Sequence, residues 1–181
     1  WGYYGWKCDN VIHLRLGFYT GDIFTPQPTR QRDVMPIVEQ LERVRPDIIT
    51  VALDPEASGP DTHYKVLQAL AEALRQWQKE HDISKIRIIG YRNVWYRFHP
   101  AEANVFTPVS LNSMAVLDWS FRNCYISQVD ASFPSHELDG PFSQLSQQIW
   151  VDQFKRVQLI LGKDYFYDNE SPKIRATHGM I

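Results

Sequence analysis

The sequence predicts a three-layer α/β domain, with helices on both faces of one mainly parallel sheet. Three observations predict it. Short apolar runs alternate with amphipathic helical stretches, in the order strand, helix, strand, helix, strand. The middle run, residues 48–53 (IITVAL), is short, apolar and β-branched, as suits a strand covered on both faces. A length of 181 residues is ample for a single domain with its own core.

Each element follows from its residues. Residues 11–18 (VIHLRLGF) alternate and are rich in apolar side chains, so they read as the first strand. Residues 21–29 hold two prolines and turn formers, and read as a loop. Asp33 can cap a helix whose apolar stripe is Val34, Ile37, Leu41 and Val44. Pro36 falls in its tolerant first turn and Pro46 stops it. After the strand at 48–53, residues 54–60 form a loop. Asp61 or Thr62 caps a second helix with Val66, Leu70, Ala73 and Trp77 on one face. Residues 86–90 (IRIIG) are the third strand, and this order argues for parallel pairing through right-handed crossovers.

Beyond Tyr91 the pattern changes. Residues 93–108 are aromatic and irregular. Ser110 is placed to cap a third helix bearing Leu111, Met114, Leu117 and Phe121. Residues 130–141 read as a loop. Phe142, Leu145, Ile149, Phe154, Val157 and Leu161 mark a last long helix, closed by Gly162. The tail from Lys163 is polar and expected to be loosely held.

Composition excludes several classes. A net charge of −2 gives no global basic field, so neither nucleic acid nor an anionic membrane is an expected partner. No apolar run is long enough to span a bilayer, and no secretory signal is visible. Cys8 and Cys124 are too few for a disulfide framework; they are expected as reduced, partly buried thiols in a cytoplasmic protein. The chain opens Trp-Gly-Tyr-Tyr-Gly-Trp without a methionine, which reads as a piece of a longer polypeptide.

In open parallel sheets, ligands bind beyond the C-terminal strand ends. Residues 17–22, 54–63 and 91–96 arrive there. The middle segment ends Gly59-Pro60-Asp61-Thr62-His63. A histidine in the first turn of a helix after a buried strand is held rigidly, as a metal ligand must be. From spacing alone the plainer reading is favoured, a polar residue at a helix start bonded to a nearby carboxylate. Asp61 carries the same ambiguity between helix cap and active-site carboxylate.

Arg45-Pro46-Asp47-Ile48-Ile49, then Asp54-Pro55, then Gly59-Pro60-Asp61-Thr62-His63 together resemble the second motif of the LmbE/PIG-L-like zinc deacetylases. The subgroup fused to a glucosamine-6-phosphate deaminase-like domain has a similar Thr-His ending. Leu14-Arg15-Leu16-Gly17-Phe18-Tyr19 is similar to that subgroup's Leu-rich strand ending in Phe-Tyr. Tyr91-Arg92-Asn93-Val94-Trp95 resembles its Tyr-x-x-x-Trp segment, and Tyr125-Ile126-Ser127-Gln128 its helix ending in Ser-Gln or Thr-Gln. The resemblance spans roughly residues 11–162, and its specificity lies in the order and separation of the pieces.

The resemblance implies a Rossmann-like sheet lacking its first strand, in the C-terminal portion of a deacetylase domain. It implies a zinc-dependent hydrolase that removes the N-acetyl group from an amino sugar or its conjugate. His63 would be a zinc ligand, Asp61 a local active-site carboxylate, and Tyr91, Arg92 and Trp95 contacts to the sugar. The family's His-Pro-Asp-Asp motif, which supplies two zinc ligands and the general base, is not in this sequence. Pro60 stands where many members carry a histidine that stabilises the oxyanion. An incomplete zinc site is therefore expected, with the chain inactive alone. It would either self-associate or bind the missing N-terminal segment.

Two other readings stand beside this one. The first is a metal-less carbohydrate-binding or structural relative. The second is an unrelated doubly wound binder of sugar phosphates or nucleotides. There is no Gly-rich phosphate loop, Cys-x-x-Cys pair or Gly-x-Ser-x-Gly elbow. His13 reads as a satisfied core or edge residue, His81 as a helix-end cation, and His99 and His136 as loop residues able to touch substrate. Glu39 and Glu42 read as solvated charges.

Overall fold

The computed structural model describes residues 1–22, 24–57, 60–92, 97–129 and 141–181. The chain is a mixed α and β protein in two compact units. One is Ile12–Arg97; the other joins Trp1–Val11 to Phe98–Ile181.

In the unit Ile12–Arg97, one π-helical turn, Arg30–Val34, runs into α1 (Met35–Val44). Pro36 sits in the first turn of α1, where its missing N–H costs nothing. Arg45 ends the helix in the left-handed region, φ 46°, its N–H bonded to the Leu41 carbonyl at 2.8 Å. Pro46 follows and cannot continue the helix. Strand β1 (Ile48–Ala52), helix α2 (Asp61–Trp77) and strand β2 (Arg87–Tyr91) then form the expected parallel β-α-β sequence. The register runs from Ile48 beside Arg87 to Ala52 beside Tyr91.

The core of this unit holds Leu16, Phe18, Val34, Ile37, Leu41, Ala69, Ala73, Leu74 and Trp77, with Ile49 and Ile86 packed against it. Burying side chains of the size of Leu or Phe contributes about 1.5–3 kcal/mol each. Val44, assigned to the α1 stripe by spacing, is exposed at the last residue of the helix.

Residues 11–18 depart from expectation. The alternation is real, since Leu14, Leu16 and Phe18 turn into the core while His13 is exposed. The segment nevertheless makes no ladder among the described residues, and Arg15 takes a φ of 50°, which breaks the extended run. Its polar anchor is a side chain. Gly17 donates its N–H to Asp33 Oδ1 at 2.6 Å. The described sheet of this unit is thus the β1–β2 pair alone. Ile48 and Ile88 are each 54% exposed, and the register puts them on opposite faces. The expectation of strands covered on both faces is not met among the described residues.

Asp33 is not a simple N-cap either. It lies inside the π-turn, fully buried, and accepts the Thr29 N–H at 2.7 Å, closing the helix start from within. Arg32 lies over Gly17 and bonds the same carboxylate.

In the other unit, β3 (Pro108–Val109) leads to α3 (Leu111–Cys124). Ser110 caps α3 as its side chain accepts the Ser113 N–H at 3.2 Å. Helix α4 (Phe142–Leu161) ends at Gly162, φ 84°. The tail is not loose. Helices α5 (Lys163–Tyr167) and α6 (Pro172–Arg175) lead to β4 (Gly179–Met180), which pairs antiparallel with β3. Buried Phe166 meets Phe154 edge-on, with ring centroids 4.9 Å apart. Cys8 and Cys124 are both free, and both are exposed rather than partly buried. The irregular stretch at 93–96 and all but the last residue of the loop at 130–141 lie outside the described residues. No helix among the described residues is long and apolar enough to cross a membrane.

Candidate functional site

The parallel register brings three segments to one end of the β1–β2 pair. Strand β1 leaves through Leu53, whose N–H donates to the Tyr91 carbonyl at 2.8 Å, and through buried Asp54. Helix α2 enters with Asp61, Thr62 and His63 in its first turn. Strand β2 ends on Tyr91, followed by Arg92. A carboxylate at a helix N-terminus is favoured by the exposed N–H groups and the dipole. Pro60, at the N-cap position, supplies no side-chain cap, so Asp61 takes over that end of the helix. His63 is half-buried, with its backbone N–H bonded to the Pro60 carbonyl at 3.0 Å.

Asp61 is tied to two partners absent from the sequence reading. Its Oδ2 accepts Lys65 Nζ at 2.7 Å and Thr25 Oγ1 at 2.7 Å. Lys65 also donates to the Thr25 carbonyl at 2.8 Å and to Thr25 Oγ1. The hydrogen bond from Lys65, then that from Thr25, holds the Asp61 carboxyl below its ordinary pKa of 3.8. Such a carboxylate orients its neighbours well but is a weak proton acceptor near neutral pH.

Tyr19 and Tyr91 add two exposed phenols to this end. Buried Phe18 anchors Tyr19 at a ring-centroid distance of 5.1 Å. Partial burial raises the Tyr19 pKa, the nearby Tyr91 raises it further, and a hydrogen bond with Thr62 opposes both. Arg92 reaches back to Glu56 in the loop after β1, its terminal nitrogen 3.0 and 3.1 Å from the two carboxylate oxygens. The guanidinium is thereby held at the end of the sheet.

Asp61, His63, Tyr91 and Arg92 are thus gathered at one end of one unit, while Trp95 lies outside the described residues. Sequence reasoning missed Thr25, Lys65 and Glu56, and named Tyr19 only within the resemblance and Thr62 only as a helix cap. Lys65 had a signal, four residues after Asp61 on a helix, the spacing of a paired charge. Thr25 had none. Among the described residues, no three His, Cys, Asp or Glu side chains converge as a metal-binding group. Of the predicted site residues, the resemblance designates only His63 as a zinc ligand.

The remaining histidines stand elsewhere. His81 pairs with Glu42 at 2.8 Å and packs on Trp77, which also donates to Glu42 at 3.0 Å. Glu42 therefore links α1 to the end of α2 while its side chain stays 47% exposed. His99 accepts the Ala101 N–H in a turn, His178 lies beside the Ala176 carbonyl, and His136 is outside the described residues. The chain matches no protein-family model, no curated protein and no solved structure.

Proposed function

We propose that this chain carries part of a zinc-dependent hydrolase that removes the N-acetyl group from an amino sugar or its conjugate. The observation that carries the reading is the Asp61-Thr62-His63 turn. It opens α2 directly after a parallel strand, at the end where Tyr91 and Arg92 leave the partner strand. That is the ligand end of a parallel α/β sheet. The β1-α2-β2 unit is read as part of a three-layer Rossmann-like sheet that lacks its first strand.

In this reading His63 supplies one zinc ligand, and another segment of polypeptide supplies the rest. That segment is either the missing N-terminal strand or a second copy of the chain. Two features support it: the bare edges of the described two-stranded sheet, and the exposed isoleucines on its faces. Tyr91 and Arg92, with Trp95, bind the sugar. The phenol offers a flat apolar face and a hydroxyl, and the guanidinium a directed donor. Asp61, bonded to Lys65 and Thr25, is the local active-site carboxylate, and the general base comes with the His-Pro-Asp-Asp motif. The two exposed free cysteines fit a reducing, cytoplasmic location.

A metal-less carbohydrate binder is the second reading. It draws on Asp61 Oδ2, which already accepts two side-chain hydrogen bonds. Acetate release from N-acetylglucosamine and its conjugates, measured with zinc on the protein as its gene encodes it, separates the two. The hydrolase reading expects turnover that is lost in His63→Ala. Sugar binding without acetate release would support the binder and sink the hydrolase.

A further inference from the structure

Lysine is among the residues least often buried, yet Lys65 is 4% exposed. It stands on the core-facing stripe of α2, one and two helical repeats before the buried Ala69 and Ala73. Stability alone favours an aliphatic residue at such a position. Burying an ammonium group costs several kcal/mol of desolvation, which its partners must offset.

The ammonium group is instead saturated. Its three protons meet three acceptors: the Thr25 carbonyl, Thr25 Oγ1 and Asp61 Oδ2. Thr25 Oγ1 donates onward to Asp61 Oδ2, so the triangle closes on itself. Every bond in it joins the Thr25 segment to the first two turns of α2, or one of those turns to the other. A hydrogen-bonded cluster of this kind, with Lys65 buried and the Asp61 side chain 45% exposed, favours one arrangement of loop against helix.

We propose that Lys65 is a positioning residue that locks the Thr25 segment onto α2 and so fixes the orientation of the Asp61–His63 turn. Its consequence for turnover rests on the hydrolase reading above; the lock itself does not.

Lys65→Met tests both parts, since it keeps chain length and suits the apolar stripe. Phe24, beside Thr25, is 90% exposed and offers a chymotryptic site whose cleavage requires the segment to come away. Cleavage after Phe24 is followed by mass spectrometry on the protein as its gene encodes it. Lys65→Met is expected to melt within a few degrees of the parent. It should be cut after Phe24 at least about tenfold faster, the scale of one charge-assisted hydrogen bond. Thr25→Val should behave likewise, and Thr25→Ser, which keeps the hydroxyl, should restore the parent rate. With zinc and substrate, Lys65→Met should lower kcat and leave KM nearly unchanged.

Parent-like cleavage after Phe24 in both Lys65→Met and Thr25→Val would overturn the proposal. A Lys65→Met protein that melts far lower and is cut faster at every site would overturn it too, since Lys65 would then be a general stability element. If even the parent releases no acetate, the hydrolase reading fails while the cleavage rates still decide the lock.

Discussion

Replacing Asp33 by alanine should unfold the Ile12–Arg97 unit far more readily than an average substitution. The carboxylate is fully buried and accepts the Gly17 N–H at 2.6 Å and the Thr29 N–H at 2.7 Å. Each hydrogen bond to a charged group contributes about 1.5–3 kcal/mol, and alanine leaves both amides without that acceptor. Arg32 adds little, about 0–1 kcal/mol, because its side chain is 41% exposed. The expected loss is about 3–6 kcal/mol, the sum of the two hydrogen bonds to the carboxylate. With a urea m-value of about 2 kcal/mol per molar, the midpoint falls by about 2 M. Urea unfolding with hydrogen exchange of the α1 and α2 amides reads this unit specifically.

The pH dependence of the same contact has a defined sign. Burial opposes the charge on Asp33, but Arg32 and the amides of Thr29 and Gly17 outweigh it, so its pKa lies below 3.8. A folded value below the unfolded one means the contribution is complete above about pH 4. It is lost as pH falls through the folded value. Asp33→Asn, which cannot ionise, should therefore be markedly weaker than the parent at pH 7 and approach it in acid. A loss below about 1 kcal/mol for Asp33→Ala, or a parent–Asn gap that widens in acid, would refute this account.

Two further outcomes follow from the packing. Phe166→Ala, in the tail expected to be loose, should cost about 3–5 kcal/mol and expose the β4 amides to exchange, because Phe166 is buried against Phe154. An unchanged melting temperature would contradict its place in the core. If a second copy covers the β1–β2 sheet, as one arm of the proposed function has it, lysine at both Ile48 and Ile88 should shift sedimentation towards monomer with little change in melting temperature, since each isoleucine is 54% exposed. Self-association undiminished in the double variant would remove these side chains from the contact.

Periodicity made the regular elements legible. The stripes of α1 and α2, the apolar runs of β1 and β2, the Pro46 stop, the Ser110 cap and the Gly162 terminus are all local signals, and the structure has them within a residue of the expected place, Val44 of the α1 stripe excepted. The same order put Asp61, His63, Tyr91 and Arg92 at one end of a parallel pair, because a helix between parallel strands returns the chain to the same side. What periodicity could not convey was the identity of distant partners. Residues 11–18 alternate as a strand does, but Gly17 meets Asp33, sixteen positions away, and no strand among those described. The tail has no strong stripe, yet it is pinned where β4 finds β3. Lys65 reads as an ordinary helical charge until Thr25, forty positions earlier in the chain, closes over it. Local pattern fixes which face of an element seeks the core. Which polar group satisfies which buried charge is settled only when the tertiary fold brings distant segments within hydrogen-bond reach.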